Sequence, residues 1–261
     1  MDDQVILEKS SGPVLTLILN RPAAHNAFNL ELAEALGKNL RLAAENENCR
    51  VVVIRGAGKA FSAGGDIKLF HRSLQQGDQS FRLVFRHLNT AIQQIRGMPK
   101  PVVAAVQGPA YAAGLGVALA CDLIVASHGS TLSPSFINIA LAPNASTTFF
   151  LPRLLGPRRA AEALMRGRVF SASEALELGM INHVWAEGVF EEELQNLLKD
   201  LAARPSGALA RIKHLLNASQ ENTWLEQIEL EKEEISLSAL SEDFQEGVAA
   251  FVEKRRPKFN P

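Results

Sequence analysis

The stretch from Val102 to Cys121 carries no ionisable side chain except Tyr111 and Cys121, so it belongs in the interior of whatever this chain builds. Read from Pro101 to Asp122, PVVAAVQGPAYAAGLGVALACD feeds an apolar strand through a small-residue loop into a helix. The first N–H groups of a helix have no partner inside it, and small residues leave them open. Such a turn can hold a developing negative charge on main-chain donors alone. Gln107, Pro109 and Asp122, with Gly108, Gly114 and Gly116 at loop-like spacing, fit a buried strand, loop and helix better than a membrane span.

At 261 residues the chain can form one large domain or a core with an appendage. Its 27 basic and 28 acidic residues give a net charge of -1, which leaves no footprint for nucleic acid. Lys254, Arg255, Arg256 and Lys258 gather near the C-terminus and read as a solvated end. Cys49 falls in a helix-to-strand connection and Cys121 in a buried helix, which implies a reduced compartment and no disulfide framework. The start, MDDQVILEKS, lacks the basic and apolar stretches of a secretory signal, so a soluble cytoplasmic protein is expected.

Val14 to Leu19 reads as a strand after Gly12-Pro13, and Asn29 offers an N-cap for a helix with Leu32, Leu36 and Leu40 on its apolar face. Val51 to Arg55 is a second strand. After a polar stretch around Gln75 to Ser80, Phe81 to Ile95 has helical spacing, with Phe81, Val84, Phe85, Leu88 and Ile92 on one stripe. Strands follow at Val102 to Val106 and Leu123 to Ala126. Runs apolar on both faces that alternate with helices argue for an α/β architecture with covered sheets. Ser171 with Glu174 predicts a capping box, and Gly179 ends that helix before Ile181 to Trp185. Beyond Glu187 only helices are expected, over Glu191 to Ala203, Ser206 to Ala218, Leu225 to Leu237 and Ser241 to Glu253, with Pro205 as a break.

Two glycine-rich spots follow strands: Gly56-Ala57-Gly58-Lys59 and Phe61-Ser62-Ala63-Gly64-Gly65-Asp66. Neither is a dinucleotide fingerprint, because the third glycine is missing, and Gly58-Lys59-Ala60 lacks the hydroxyl residue of a phosphate-binding P-loop. Each alone reads as a turn. Paired with the glycine-rich turn before Leu115, the second becomes more interesting, since two separate backbone donors can converge on one oxygen.

Several ordered motifs carry a family resemblance: Asn20-Arg21-Pro22 with Asn26-Ala27-Phe28; Arg55 through Asp66; Lys100-Pro101-Val102 through Cys121-Asp122; Leu151 through Gly156; Ser173-Glu174-Ala175 to Gly179-Met180-Ile181-Asn182; and Glu246-Gly247-Val248 to Phe259. Together they resemble the crotonase superfamily of enoyl-CoA hydratases and isomerases, nearly end to end. The resemblance implies a spiral of ββα units over residues 1–190 and a C-terminal helical trimerisation region over 191–261, assembled as a homotrimer or a dimer of trimers. It implies an acyl-CoA substrate whose thioester carbonyl is held by the N–H groups of Gly65 and Ala113, with coenzyme A entering as part of the substrate and no separate cofactor. Ala113 stands where the family usually has glycine, which a backbone donor tolerates if the dihedrals allow alanine. Ala24, His25, Ala63, Asp66 and Ile67 match positions that line the nucleotide and pantetheine, and Phe136 is a further substrate-contacting position. Asp66 reads equally as a turn or cap residue. No nucleic acid, membrane or metal is expected; the six histidines show no metal-ligand spacing.

Polarising a thioester acidifies its α-carbon and stabilises an enolate, after which a second group must move a proton. Here the sequence departs from the family. The two glutamates of hydratases align with Gly116 and Phe136, and the aspartate of many isomerases and a dehalogenase branch aligns with Asn144. Asn144 cannot serve as a proton-transfer base near pH 7, although its amide can orient water or substrate. Ser133, Ser135, Asn138, His71, His87, Asn89 and Tyr111 are the other polar candidates, each with a structural reading beside it. Three functions remain open: isomerase or hydratase-type chemistry with a non-standard proton-transfer group; decarboxylation of a malonyl-type thioester, which needs no base; and CoA-ester binding without catalysis.

Overall fold

The structure, a computed structural model, describes residues 4–259. Strand β1 (Ile6–Ser11) turns back into β2 (Val14–Leu19), and helix α1 (Leu30–Glu45) crosses to β3 (Val51–Gly56). A helical hairpin follows, α2 (Ile67–Gln76) and α3 (Ser80–Gly97), then β4 (Val102–Val106), β5 (Ala110–Tyr111) and α4 (Ala113–Ala120). Next come β6 (Leu123–Ser127), β7 (Thr131–Ser133), α5 (Thr147–Leu155), α6 (Pro157–Arg166), β8 (Phe170–Ser171), α7 (Ala172–Glu177) and β9 (His183–Trp185). The chain ends in α8 (Phe190–Ala202), α9 (Ser206–Ala218), α10 (Trp224–Ala239) and α11 (Glu242–Val252).

The strands form a six-stranded sheet, ordered β1-β2-β3-β4-β6-β9, and a three-stranded sheet, ordered β5-β7-β8. Only β1 runs antiparallel in the larger sheet. Successive turns of the chain place one strand in each sheet before a helix, β4 with β5 and then α4, which is the ββα spiral. Every residue of β4 is buried, and every residue of α4 as well. That is the placement a charge-free strand and helix require.

Local signals explain most of these elements. The Asn29 side chain accepts from the Leu32 N–H at 2.9 Å and starts α1, whose Leu32, Leu36 and Leu40 are fully buried; each contributes about 2 kcal/mol of apolar transfer. Val84, Leu88 and Ile92 of α3 pack in the same core. The Ser171 cap forms only half of the expected box. Its hydroxyl accepts from the Glu174 N–H, but the Glu174 carboxylate turns to Arg168 instead, because a full cation competes better than a neutral N–H for a carboxylate. A complete box stands at Thr223 and Glu226, opening α10.

On the other face of the large sheet Phe190, Leu194 and Leu198 of α8 pack against Val51, Val53, Val103 and Val125. Deeper attachment of the C-terminal helices comes from Lys213 of α9, which is 7% exposed. Its ammonium donates to the carbonyls of Ile95 and Lys100 and to Asp122 Oδ2, at 2.6, 2.9 and 2.7 Å. Burial pushes the Lys213 ammonium below the usual lysine range, and the Asp122 carboxylate pulls it back up. Asp122 also accepts from the Val102 N–H and pairs with Arg96. Replacing Lys213 by methionine removes one partner of a buried pair, so a loss of about 3 kcal/mol is expected in urea denaturation. A loss under about 1 kcal/mol would mean that this anchor does not hold the helices.

At the chain end, Arg255 grips Glu246 through two bonds, 2.6 and 2.8 Å, and the Glu246 carboxyl is pulled down to about 2. Lys254, Arg255, Arg256 and Lys258 are all exposed, as a solvated end requires, and Arg255 is in addition paired within the chain. No helix among the described residues is long and apolar enough to cross a membrane.

Candidate active site

The two glycine- and alanine-rich loops meet at a single parallel bridge, Ser62 to Ala110. Gly65 lies three residues beyond one side of it and Ala113 three beyond the other. Ser62 donates its N–H to Pro109 O and accepts from the Tyr111 N–H at 3.1 and 2.9 Å, so the two loops leave the bridge in register. A methyl placed on Gly64 would lie 2.9 Å from Ala112 Cβ and 3.5 Å from the Ala113 nitrogen. One on Gly114 would meet Ser62 O at 2.5 Å. Only glycine permits this approach, and at Gly64 φ is +97° as well.

The N–H groups of Gly65 and Ala113 donate to nothing in the described chain, although their neighbours do. Gly64 donates to Ser62 Oγ, Asp66 to Phe28 O, and Ala112 to Ser133 O at 2.8 Å. Ala113 is the first residue of α4, where an N–H is left over by helix geometry. The unusual backbone belongs to Ala112, at φ 46° and ψ −115°. The sequence reading placed the conformational question at Ala113; the strain sits one residue earlier, where it turns the next peptide. A non-glycine residue in such a region costs about 1–3 kcal/mol and persists because its surroundings hold it.

Asn26 pins the first loop from below. It is fully buried, donates through Nδ2 to Ala57 O and Ala60 O at 2.9 and 2.7 Å, accepts the Arg21 N–H at Oδ1, and gives its carbonyl to Ser62 Oγ. The Phe70 ring lies over Gly65, 2.6 Å from where a Cβ would stand. Phe70 packs edge-on against Phe85 and Phe81, at 5.6 and 6.3 Å between centroids. Sequence reasoning missed this wall because it missed α2. The available signals were the Asp66 cap on Leu69 and the left-handed Gly77 at the other end.

The space beside Gly116, which the family resemblance aligns with a hydratase glutamate, is occupied. Gly116 lies one turn along α4 from Ala113, and a methyl there would meet Ala145 O at 2.4 Å and Ala145 Cβ at 2.5 Å. Ala145 and Ser146 both hold left-handed backbones, φ 54° and 58°, which press this loop onto α4. Asn144 precedes them. Its Oδ1 accepts the Ala145 N–H, while Nδ2 has no partner among the described residues. Phe136 is buried in a short 3-10 turn.

The remaining candidates spread out. Asp66 caps α2 through Leu69 N–H and pairs with Arg21 at 3.0 Å, so both oxygens are engaged. His25 is exposed, and its carbonyl accepts from the Ala63 N–H at 2.9 Å; Ala24 is half-buried, and Ala63 and Ile67 are exposed. His71 lies on the outer face of α2, and His87 at the crossing of α3 with α1. Asn89 and Asn138 are exposed and Ser135 half-buried. Ser133 Oγ donates to Gly167 O, and the Tyr111 hydroxyl meets Thr131 Oγ1. None of these polar side chains joins the two free donors through a contact in the structure.

A two-sheet spiral with two free backbone donors where its loops meet defines a chain of crotonase type. The chain belongs to the enoyl-CoA hydratase/isomerase family, whose model matches residues 9–261. It is 33% identical over 260 residues to trans-2-decenoyl-[acyl-carrier-protein] isomerase of Streptococcus mutans, covering 99% of each chain. It is 34% identical over 259 residues to 1,2-epoxyphenylacetyl-CoA isomerase of Escherichia coli, covering 98% of each. Among solved structures, an enoyl-CoA hydratase from Polaromonas sp. JS666 superposes with a TM-score of 0.93 at 34% identity, covering 98% of this chain and 99% of that one.

Proposed function

We propose that this enzyme binds an acyl thioester, polarises its carbonyl on the N–H groups of Gly65 and Ala113, and proceeds through the enolate. The single observation that carries this reading is the pair of unengaged N–H groups on loops held in register by the Ser62 to Ala110 bridge. Main-chain donors fixed in this way need no reorganisation as charge develops on the oxygen. Phe70, in contact with Gly65, gives the acyl side an apolar aromatic wall. Positions lined by Ala24, His25, Ala63, Asp66 and Ile67 receive the pantetheine and nucleotide, and the enzyme uses no further cofactor. Apolar residues left open on the C-terminal helices, such as Trp224 at 71% and Phe251 at 86% exposed, suit burial between subunits of a homotrimer or dimer of trimers.

Proton transfer in this reading does not use paired glutamates, since Gly116 and Phe136 stand at those positions. Asn144 orients water or substrate through its unpartnered amide nitrogen. The chemistry is therefore isomerase-like: the α-carbon gives a proton to water held at Asn144, and the dienolate takes one from solvent at its γ-carbon, which shifts the double bond. A second reading draws on the same occupied carboxylate position: a malonyl-type thioester forms the enolate by losing CO₂ and needs no base.

The deciding experiment supplies 3-enoyl-CoA, 2-enoyl-CoA and malonyl-type thioesters in deuterated water and follows products by NMR. Conversion of 3-enoyl to 2-enoyl thioester is expected, with the α-carbon giving up a proton and deuterium entering at the γ-carbon. Release of CO₂ with no turnover of the enoyl esters would replace the first reading by the second, and binding without any turnover would leave a CoA-ester binding protein.

A further inference from the structure

The hairpin of α2 and α3 is rich in cations, as is the later stretch from Arg153 to Arg168, but only the hairpin follows directly on Gly65. Between Asp66 and Asp122 stand Lys68, Arg72, Arg82, Arg86, Arg96 and Lys100, and the sole acid is Asp78, in a chain whose net charge is -1. Arg96 pairs with Asp122, and the Lys100 ammonium rests on the carbonyls of Ala43 and Asn46. Lys68, Arg72, Arg82 and Arg86 are exposed and pair with no carboxylate in the described chain. In the C-terminal helices, by contrast, Arg204, Arg211, Lys213 and Lys232 each hold an acid. Asp78 does not neutralise the hairpin cations. Its carboxylate accepts from Ser73 Oγ and the Ser80 N–H inside the turn, and these bonds hold it below the usual range.

Packing sets how the hairpin is displayed. Phe70 of α2 meets Phe81 and Phe85 of α3, so the seam between the helices is aromatic and the charges lie off it. Lys68 with Arg72, and Arg82 with Arg86, are spaced i, i+4, which puts each pair on one side of its helix. Three aliphatic side chains are exposed among them: Ile67 at 49%, Leu74 at 70% and Leu83 at 42%. The patch begins two residues beyond Gly65, one of the two free donors.

We propose that this hairpin docks an acidic carrier protein that presents the acyl group on a prosthetic thioester arm, a conclusion that rests on the thioester reading above. The phosphates of a free nucleotide form a compact anion on a polar body. The positions assigned to the nucleotide reach this patch only at Ile67, which leaves Leu74, Leu83 and the α3 cations Arg82 and Arg86 without a role in holding it. An acidic protein surface with its own apolar residues matches both the spread of charge and the aliphatic content. Uncompensated positive charge beside the site also steers such a partner, raising association about 10- to 10³-fold at low salt and losing that gain as salt screens it.

The test compares one acyl group on two handles, a 3-decenoyl group on CoA and the same group on an acyl-carrier protein, together with binding of the acidic holo-carrier that bears no acyl group. The variants are Arg82→Glu, Arg86→Glu and the pair, with the glutamine versions as milder controls. Wild type should bind the holo-carrier with a Kd that weakens at least about tenfold from low to high salt, and the paired glutamate variant should weaken it by a further tenfold or so. The variant's kcat/KM should fall with the carrier substrate and stay within about twofold with the CoA ester. No binding of the holo-carrier, or equal losses on both handles, would overturn the docking surface and assign these cations to the nucleotide. If neither thioester turns over while carrier binding stays salt-dependent and sensitive to Arg82 and Arg86, the thioester reading fails and the docking surface stands.

Discussion

Replacing Ala113 by proline is expected to slow turnover of the preferred thioester about 10²- to 10³-fold while the fold survives. Ala113 is the first residue of α4, the one helical position where proline is at home, because the N–H it removes bonds to nothing within the helix. In this chain that N–H is the proposed donor. The substitution therefore deletes one atom of the proposed site and little else. Proline also restricts the residue before it, and Ala112 already holds a positive φ, so the double variant Ala112→Gly with Ala113→Pro is the better-relaxed form. Ala113→Ser keeps the N–H and should keep the rate. Unchanged turnover in a folded Ala113→Pro protein would remove Ala113 from the chemistry, whichever of the two reactions the enzyme runs.

Gly116→Glu should fail to create a hydratase. It installs a carboxylate where the resemblance aligns a hydratase glutamate, yet its first side-chain atom would lie 2.4 Å from Ala145 O and 2.5 Å from Ala145 Cβ, a backbone oxygen and a methyl fixed to that backbone, neither of which can rotate away. Overpacking of this kind costs about 1–3 kcal/mol or more. The loop bearing Asn144 would be displaced as well. The expected result is a lower urea midpoint, no hydration of 2-enoyl-CoA, and reduced turnover of whatever thioester the wild type uses. A Gly116→Glu protein of wild-type stability that hydrates enoyl esters would show that the Ala145 loop yields easily and that the empty carboxylate position has no structural cause.

Much of the fold was legible because its signals are local. The strand at Val14 to Leu19, the Asn29 cap with its Leu32, Leu36 and Leu40 stripe, and the α3 stripe through Val84, Leu88 and Ile92 depend on neighbours within two turns of chain. Helix α2 escaped because its ten residues, IKLFHRSLQQ, offer only two that become buried. With it went Phe70, the hairpin and its unpaired cations. Helices α5 and α6 escaped too, the first because Pro152 lies inside it. At Glu174 the capping motif was half right, since Arg168, six residues away, took the carboxylate.

What the sequence by itself determined was the family, through motifs spread from Asn20 to Phe259, and the burial of a charge-free strand and helix from Val102 to Ala120. Composition requires that burial wherever the segment lies. Which N–H groups are left without acceptors, that Ala145 fills the space beside Gly116, that Phe70 covers Gly65, and that Lys213 anchors α9 on Asp122 were decided only by the tertiary structure. Each depends on contacts between residues that are five to about ninety positions apart in the chain. No local periodicity or cap encodes such distances; they follow from how two sheets and their loops pack.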